Sequence, residues 1–238
     1  MRPWISALLV AALALSASQP LPAAEAAPVT HVLYDGALGT PPEAQGLFFF
    51  GAAVPVTAGG ATTLDTSAND MFQAGYTISP TVAITLDRAA GYQVIFTAQL
   101  ITETHASNDR AGFSVIVLSR DKLGIELGFW RDRVWAQEGG AEPGLFTQAE
   151  GAAFDTTGLA TYTLTLTSTA YTLSAGGAPL LSGPVRDYTA FAGSPDVYET
   201  PNVLFFGDNT GSARASVRFS YVAVDTALHD VYLPVVLR

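Results

Sequence analysis

The chain has 238 residues, with 21 acidic and 11 basic side chains, a formal net charge of −10 at pH 7 and no cysteine. So few Lys and Arg cannot build the basic face that phosphate binding needs, which excludes nucleic acid and anionic membrane surfaces as partners. Disulfides are excluded outright, so the fold must rest on its core, which a chain of about 200 residues can build by burying roughly 70% of its unfolded surface.

The chain begins Met-Arg-Pro-Trp, a short positive region, and residues 5–15 are an apolar run too short to span a bilayer. This is the pattern of a secretory signal peptide. Ala24-Glu25-Ala26, or Ala23-Ala24, offers the small residues that cleavage requires, and a cut after Ala26 removes Arg2 and Glu25 and leaves the net charge unchanged. The expected organisation is a leader at 1–26, one β-domain over 27–226 and an apolar tail at 227–238. No second apolar run of about 18 residues follows, so a secreted or cell-surface protein without a membrane span is expected.

Beyond the leader, apolar residues alternate between Gly, Pro, Asn and Asp with no helical period, which predicts an all-β chain. Residues 29–34 predict a first strand ending at Asp35-Gly36, and 47–50, 61–65 and 76–78 predict three more. Residues 82–86 and 92–101 predict an antiparallel pair joined by the loop 87–91. In the longer member Val94, Phe96, Ala98 and Leu100 share one apolar face. The stretch 103–138 carries the densest cluster of ionisable side chains and two of the three tryptophans. It reads as a polar loop at 105–110 followed by three strands within 112–137.

The Gly-rich, acidic segment 138–158 predicts a loop. Residues 161–167, 171–174 and 179–182 predict a meander turning at Gly176-Gly177, whose residues tolerate positive φ. A second long loop covers 184–201, with one helical turn expected at 186–191. Residues 202–206 and 215–224 close the domain around the loop 208–212. About fourteen strands exceed the seven of an immunoglobulin-like sandwich and suit a larger jelly roll. The absence of a fixed repeat period argues against a propeller or solenoid.

The meander at 162–182, with its run Tyr-Thr-Leu-Ser-Ala-Gly-Gly-Ala-Pro-Leu-Leu, and the strand trio at 112–137 resemble concanavalin A-like lectin and glucanase domains, including laminin G-type modules. The block Arg-Ala-Gly-Phe-Ser-Val-Ile-Val-Leu-Ser from Arg110, followed by Gly-Ile-Glu-Leu-Gly-Phe-Trp, also resembles exported bacterial proteins of that fold. The resemblance implies an antiparallel two-sheet β-sandwich of the jelly-roll type. It carries fold more than function, because its motifs are strands and turns. The Pro-Glu-Pro sorting helix of such proteins is absent, and the tail 232–238 resembles a short ending on other exported proteins.

The resemblance also implies where chemistry would sit. Its glucanases use an acidic motif of the form Glu-x-Asp-x-x-Glu, because a retaining mechanism needs two carboxylates about 5 Å apart. Here Gly124-Ile-Glu126-Leu-Gly128-Phe-Trp130 keeps one acid, Glu126, so a sugar-contacting or Arg-paired structural role is expected ahead of catalysis. If Ile125, Leu127 and Phe129 face the core, Glu126 and Trp130 face away, as do Arg133, Trp135 and Gln137 on the next strand. Such a face would suit a saccharide, against the competing expectation that the tryptophans are buried. In the polar loop His105 could act with Asp109, while Asn108 and Asp109 more simply make turn hydrogen bonds and Arg110 braces a neighbouring loop.

Calcium is common in lectin-like sandwiches, and Asp208, Asn209 and the stretch 196–199 offer oxygen ligands, without the spacing of an EF-hand loop. The three histidines form no zinc motif. Three functional expectations follow in order. The first is an exported, non-catalytic lectin-like domain for a glycan or other cell-surface polymer. The second is a structural surface-matrix protein, and the third a divergent glycoside hydrolase using Glu126.

Overall fold

The structure is a computed structural model that describes residues 28–194 and 196–226. The predicted leader at 1–26 and tail at 227–238 lie outside the described residues. Among the described residues fifteen strands follow one another, with two short 3-10 turns between β1 and β2. They are β1 (Val29–Asp35), β2 (Leu47–Gly51), β3 (Val56–Ala58), β4 (Ala61–Asp65), β5 (Ala74–Ile78), β6 (Tyr92–His105), β7 (Ser114–Leu118) and β8 (Gly124–Trp130). The remainder are β9 (Arg133–Gln137), β10 (Gln148–Ala153), β11 (Ala160–Leu166), β12 (Ala170–Ala175), β13 (Ala178–Pro184), β14 (Val203–Asp208) and β15 (Ala213–Thr226).

These strands form the expected two-sheet antiparallel sandwich. An eight-stranded sheet has the order β13-β12-β11-β6-β15-β4-β3, with β1 also paired to β15, and a seven-stranded sheet has the order β10-β9-β8-β7-β14-β5-β2. Period-two alternation decides what lies between them. Val94, Phe96, Ala98 and Leu100 of β6 meet Ile125, Leu127 and Phe129 of β8 in one apolar core, joined by Tyr162, Leu164 and Leu166 of β11. The threonines of β11 point the other way and stay partly exposed.

The strands differ from expectation in four places. Residues 82–86 do not pair with β6. Val82 N–H bonds back to Ser79 O and Ile84 N–H to Val82 O, while Leu86 N–H is taken by the Asn202 side chain. β6 instead lies between β11 and β15 and runs on to His105. Within 138–158 the chain adds β10, an edge strand of sequence Gln-Ala-Glu-Gly-Ala-Ala that has no buried residue and hence no apolar alternation to read. In place of a helical turn over 186–191, Arg186 makes a two-way backbone bridge to Gly124 and a single turn closes with Phe191 N–H on Tyr188 O. β3, three residues long and paired to β4, carries too little pattern to be read from sequence.

Candidate functional site

The outer face of the seven-stranded sheet is covered. β7 and β14 are buried on both faces, so Ile116, Leu118, Val203 and Phe205 need apolar partners outside the sandwich. Segments 138–147 and 184–201 supply Leu145, Phe146, Tyr188 and Tyr198, which close a second, smaller core over that face. Tyr188 fixes the cover to the sheet. Its hydroxyl donates to Gln137 O at 2.8 Å and accepts the Glu126 N–H at 3.1 Å. Arg186 fastens one end, its buried guanidinium meeting Glu138 at 2.9 Å and Glu150 at 2.8 Å.

Between cover and sheet lies a pocket of about 140 Å³, roughly ten times the volume that one water needs. Phe50, Phe146, Phe191, Tyr198 and Phe205 give it aromatic walls, while Arg110, Glu126, Asp208 and Asn209 supply polar groups. The rings support one another, with Phe146 and Tyr198 centroids 5.1 Å apart and Phe191 edge-on to Tyr198 at 5.4 Å. The Arg110 guanidinium carbon sits 5.2 Å from the Phe146 centroid, and its Nη1 donates to the carbonyls of Phe146 at 2.7 Å and Asp109 at 2.9 Å.

Glu126 is 3% exposed. Tyr198 donates its hydroxyl to Glu126 Oε2 at 2.5 Å, and Asn209 donates Nδ2 to Oε1 at 3.0 Å. Burial pushes the Glu126 carboxyl above the usual carboxylate range, and the Tyr198 and Asn209 bonds and the Arg110 charge pull it part of the way back. Asp208, also buried, accepts from Thr66 Oγ1 at 2.6 Å and from Thr210 N–H at 3.1 Å. Burial pushes it up to about 7, with the charges of Asp70 and Glu103 acting in the same direction and the two hydrogen bonds against it.

The structure divides the residues expected at a site. Arg110, Glu126, Asp208 and Asn209 meet in the pocket, whereas the other seven do not line it. Trp135 is wholly buried, lying where any Cβ on Gly128 would fall 2.5 Å from its ring, so it offers no sugar platform. Gln137 is buried and donates to Asp109 O, and Arg133 braces Gln148 at 3.1 Å. The exposed recognition face expected from Trp130, Trp135, Glu126, Gln137 and Arg133 is therefore not formed, because the outer core covers its middle.

His105 does not pair with Asp109. Its Nδ1 lies 2.9 Å from Glu103 Oε1, and its ring stacks on Trp130 at 3.9 Å with the planes 5° apart. Trp130 is half-buried, and its indole N–H donates to Arg110 O. Asn108 offers its carbonyl to Gln148, and Asp109 Oδ1 accepts the Gln148 N–H. The loop 106–110 thus ties β9 and β10 to the pocket rim.

Asp208 and Asn209 do not fit calcium. Their side chains bring three oxygens between them, one belonging to an amide that turns its N–H toward Glu126, against the six to eight that calcium takes. In the stretch 196–199, Asp196 caps Tyr198 N–H and Glu199 pairs with Lys122. Among the described residues no three His, Cys, Asp or Glu side chains gather as a metal site.

No protein-family model matches the sequence, and no curated protein is significantly similar to it. Solved structures are similar in shape. A carbohydrate esterase from a Shiga toxin-encoding bacteriophage superposes with a TM-score of 0.56 at 16% identity, over 83% of this chain and 99% of that one. The exoplasmic/lumenal domain of VIP36, in a Ca2+-bound form, gives 0.50 at 8% identity over 84% and 91%. A receptor binding domain gives 0.51 at 10% identity over 84% of this chain, which spans only 48% of that one. The likeness is one of fold. Together with the sheet order it places this chain among the two-sheet, jelly-roll β-sandwiches.

The residues missed from sequence are the aromatic walls Phe50, Phe146, Phe191, Tyr198 and Phe205. Two signals pointed to them. The unbroken apolar run of β7 is that of a strand buried on both faces, and the segment 184–201 carries Tyr188, Phe191 and Tyr198 in what reads otherwise as plain loop.

Proposed function

We propose that the pocket over the seven-stranded sheet binds one saccharide unit of a glycan, and that the chain is an exported binding protein for a glycan or cell-surface polymer. The observation that carries this is the convergence of aromatic walls with Arg110, Glu126 and Asn209 in one pocket. Sugars place C–H faces against rings and present hydroxyls to planar polar groups. Each Glu126 oxygen accepts one hydrogen bond from the protein and keeps a lone pair, and Arg110 keeps donors beyond those that hold Phe146 and Asp109.

The test is a glycan array followed by calorimetry on the mature chain. Phe191→Ala and Arg110→Gln should each weaken binding roughly tenfold, about 1.4 kcal/mol, with the fold intact by circular dichroism. Absence of binding to every glycan, with and without calcium, would sink this reading and favour a structural role.

A second reading has one observation in its favour. Asp208 lines the same pocket as Glu126, supplying the second carboxyl that glycoside hydrolysis needs and that the strand motif lacks. Under it, Glu126→Gln abolishes turnover on a polysaccharide panel, and surviving activity removes Glu126 from the reaction.

A further inference from the structure

A transverse row of paired residues leads from the pocket floor to the edge of the sheet. Glu126 lies beside Ile116, Ile116 beside Phe205, Phe205 beside Thr77, and Thr77 beside Phe48. β2 is the last strand of this sheet, and its side chains alternate. Leu47 and Phe49 pack against the inner core, while Phe50 packs against the outer one and lines the pocket. Phe48 has the same parity as Phe50, so it stands on the outer face about 7 Å further along the strand.

Phe48 is the one exposed phenylalanine among the described residues, at 53%. Single exposed apolar residues are ordinary. This one differs by position, because it continues the aromatic wall of the pocket at a spacing on the scale of one sugar ring. Thr77, partly exposed and next to it in the row, presents a hydroxyl on the same face.

We propose that Phe48 is the platform of a second saccharide subsite. The site then takes an extended oligosaccharide, with one unit in the pocket against Phe50, Phe191 and Tyr198, and the next stacked on Phe48 with a hydroxyl toward Thr77. This rests on the glycan reading of the pocket and adds a ligand class to it, a chain rather than a free monosaccharide.

The probes are glucose, xylose and N-acetylglucosamine, each with its β-1,4-linked dimer and tetramer, titrated into the mature chain. Affinity in the recognised series should rise roughly tenfold from monomer to tetramer, a gain of about 1.4 kcal/mol. Phe48→Ala should erase that rise and leave monomer affinity and the melting temperature unchanged. Equal affinity at all lengths, or a length gain that survives Phe48→Ala, overturns the second subsite and leaves the pocket reading in place. No binding by any member overturns both. Sedimentation of the two proteins provides a further check: a dimer that Phe48→Ala dissociates would assign this ring to self-association through the β2 edge and overturn the proposal.

Discussion

At the scale of single residues, the pocket is governed by the cost of burying carboxyls. Asp208 is pushed up from 3.8 to about 7 by burial, so the folded protein holds this proton more tightly than the unfolded chain does. Its contribution therefore favours folding below about pH 4 and is lost as pH rises to about 7, a change of the order of 4 kcal/mol. Asp208→Asn should remove that slope, since Thr66 can accept from an amide while donating to Ala215 O. Urea denaturation at pH 5 and pH 8 reads it as a variant that gains on the wild type toward pH 8; parallel curves would place the proton elsewhere. Asp121 and Glu150, held low by Arg88 and Arg186 against their own burial, tilt the wild-type curve the other way, so the difference between the two proteins is the quantity to read. Tyr198→Phe removes one of the two side-chain donors to Glu126 and should cost about 1–3 kcal/mol at pH 8. The loss should shrink as pH falls, because burial raises the Glu126 carboxyl and its protonated form needs one donor fewer. Glu126 was legible as an outward-facing acid from the alternation of β8, but its partners were not, because Tyr198 and Asn209 stand 72 and 83 residues further along the chain.

At the scale of elements, the cover over the seven-stranded sheet depends on one clip and one gap. Arg186 joins the 184–201 segment to Glu138 and to Glu150 of β10, and Glu150 also accepts from Tyr171 of β12. Arg186→Met should cost about 1–3 kcal/mol, below the full penalty for breaking a buried pair because both carboxylates are partly in water. Chemical denaturation measures it, and an unchanged midpoint would mean that the backbone bridge to Gly124 holds the segment alone. The gap is Gly128, which leaves room for the Trp135 ring. Gly128→Ala should cost about 1–3 kcal/mol through overpacking and should admit iodide to a Trp135 that is shielded in the wild type, as quenching of fluorescence will show. The strands were legible wherever one face is buried and the other wet, as in β6 and β11. They were illegible in β10, where neither face is buried.

At the scale of the whole molecule, β15 holds the sandwich together. It pairs with β1, β4 and β6, so the first and last described strands lie side by side in the eight-stranded sheet. With no disulfide to close that distance, folding must bring β1 and β15 together at full loop-closure cost, and a slow, single cooperative transition is expected. A chain ending before Ala213 should show no cooperative thermal transition by circular dichroism; a sharp one would mean that the seven-stranded sheet folds alone. The sequence by itself determined the class of this protein, because burial on one face writes a period of two into each strand, and because the charge balance and absence of cysteine limit what can hold or bind it. Only the tertiary structure decided which strands are neighbours and what lies over the outer sheet face. Alternation records that a side chain is covered and says nothing of what covers it, and the covering segments 138–147 and 184–201 have no period of their own. That is why the outer face around Glu126 is a roofed pocket of phenylalanine and tyrosine, with Trp135 buried as the competing expectation had it and no open saccharide face.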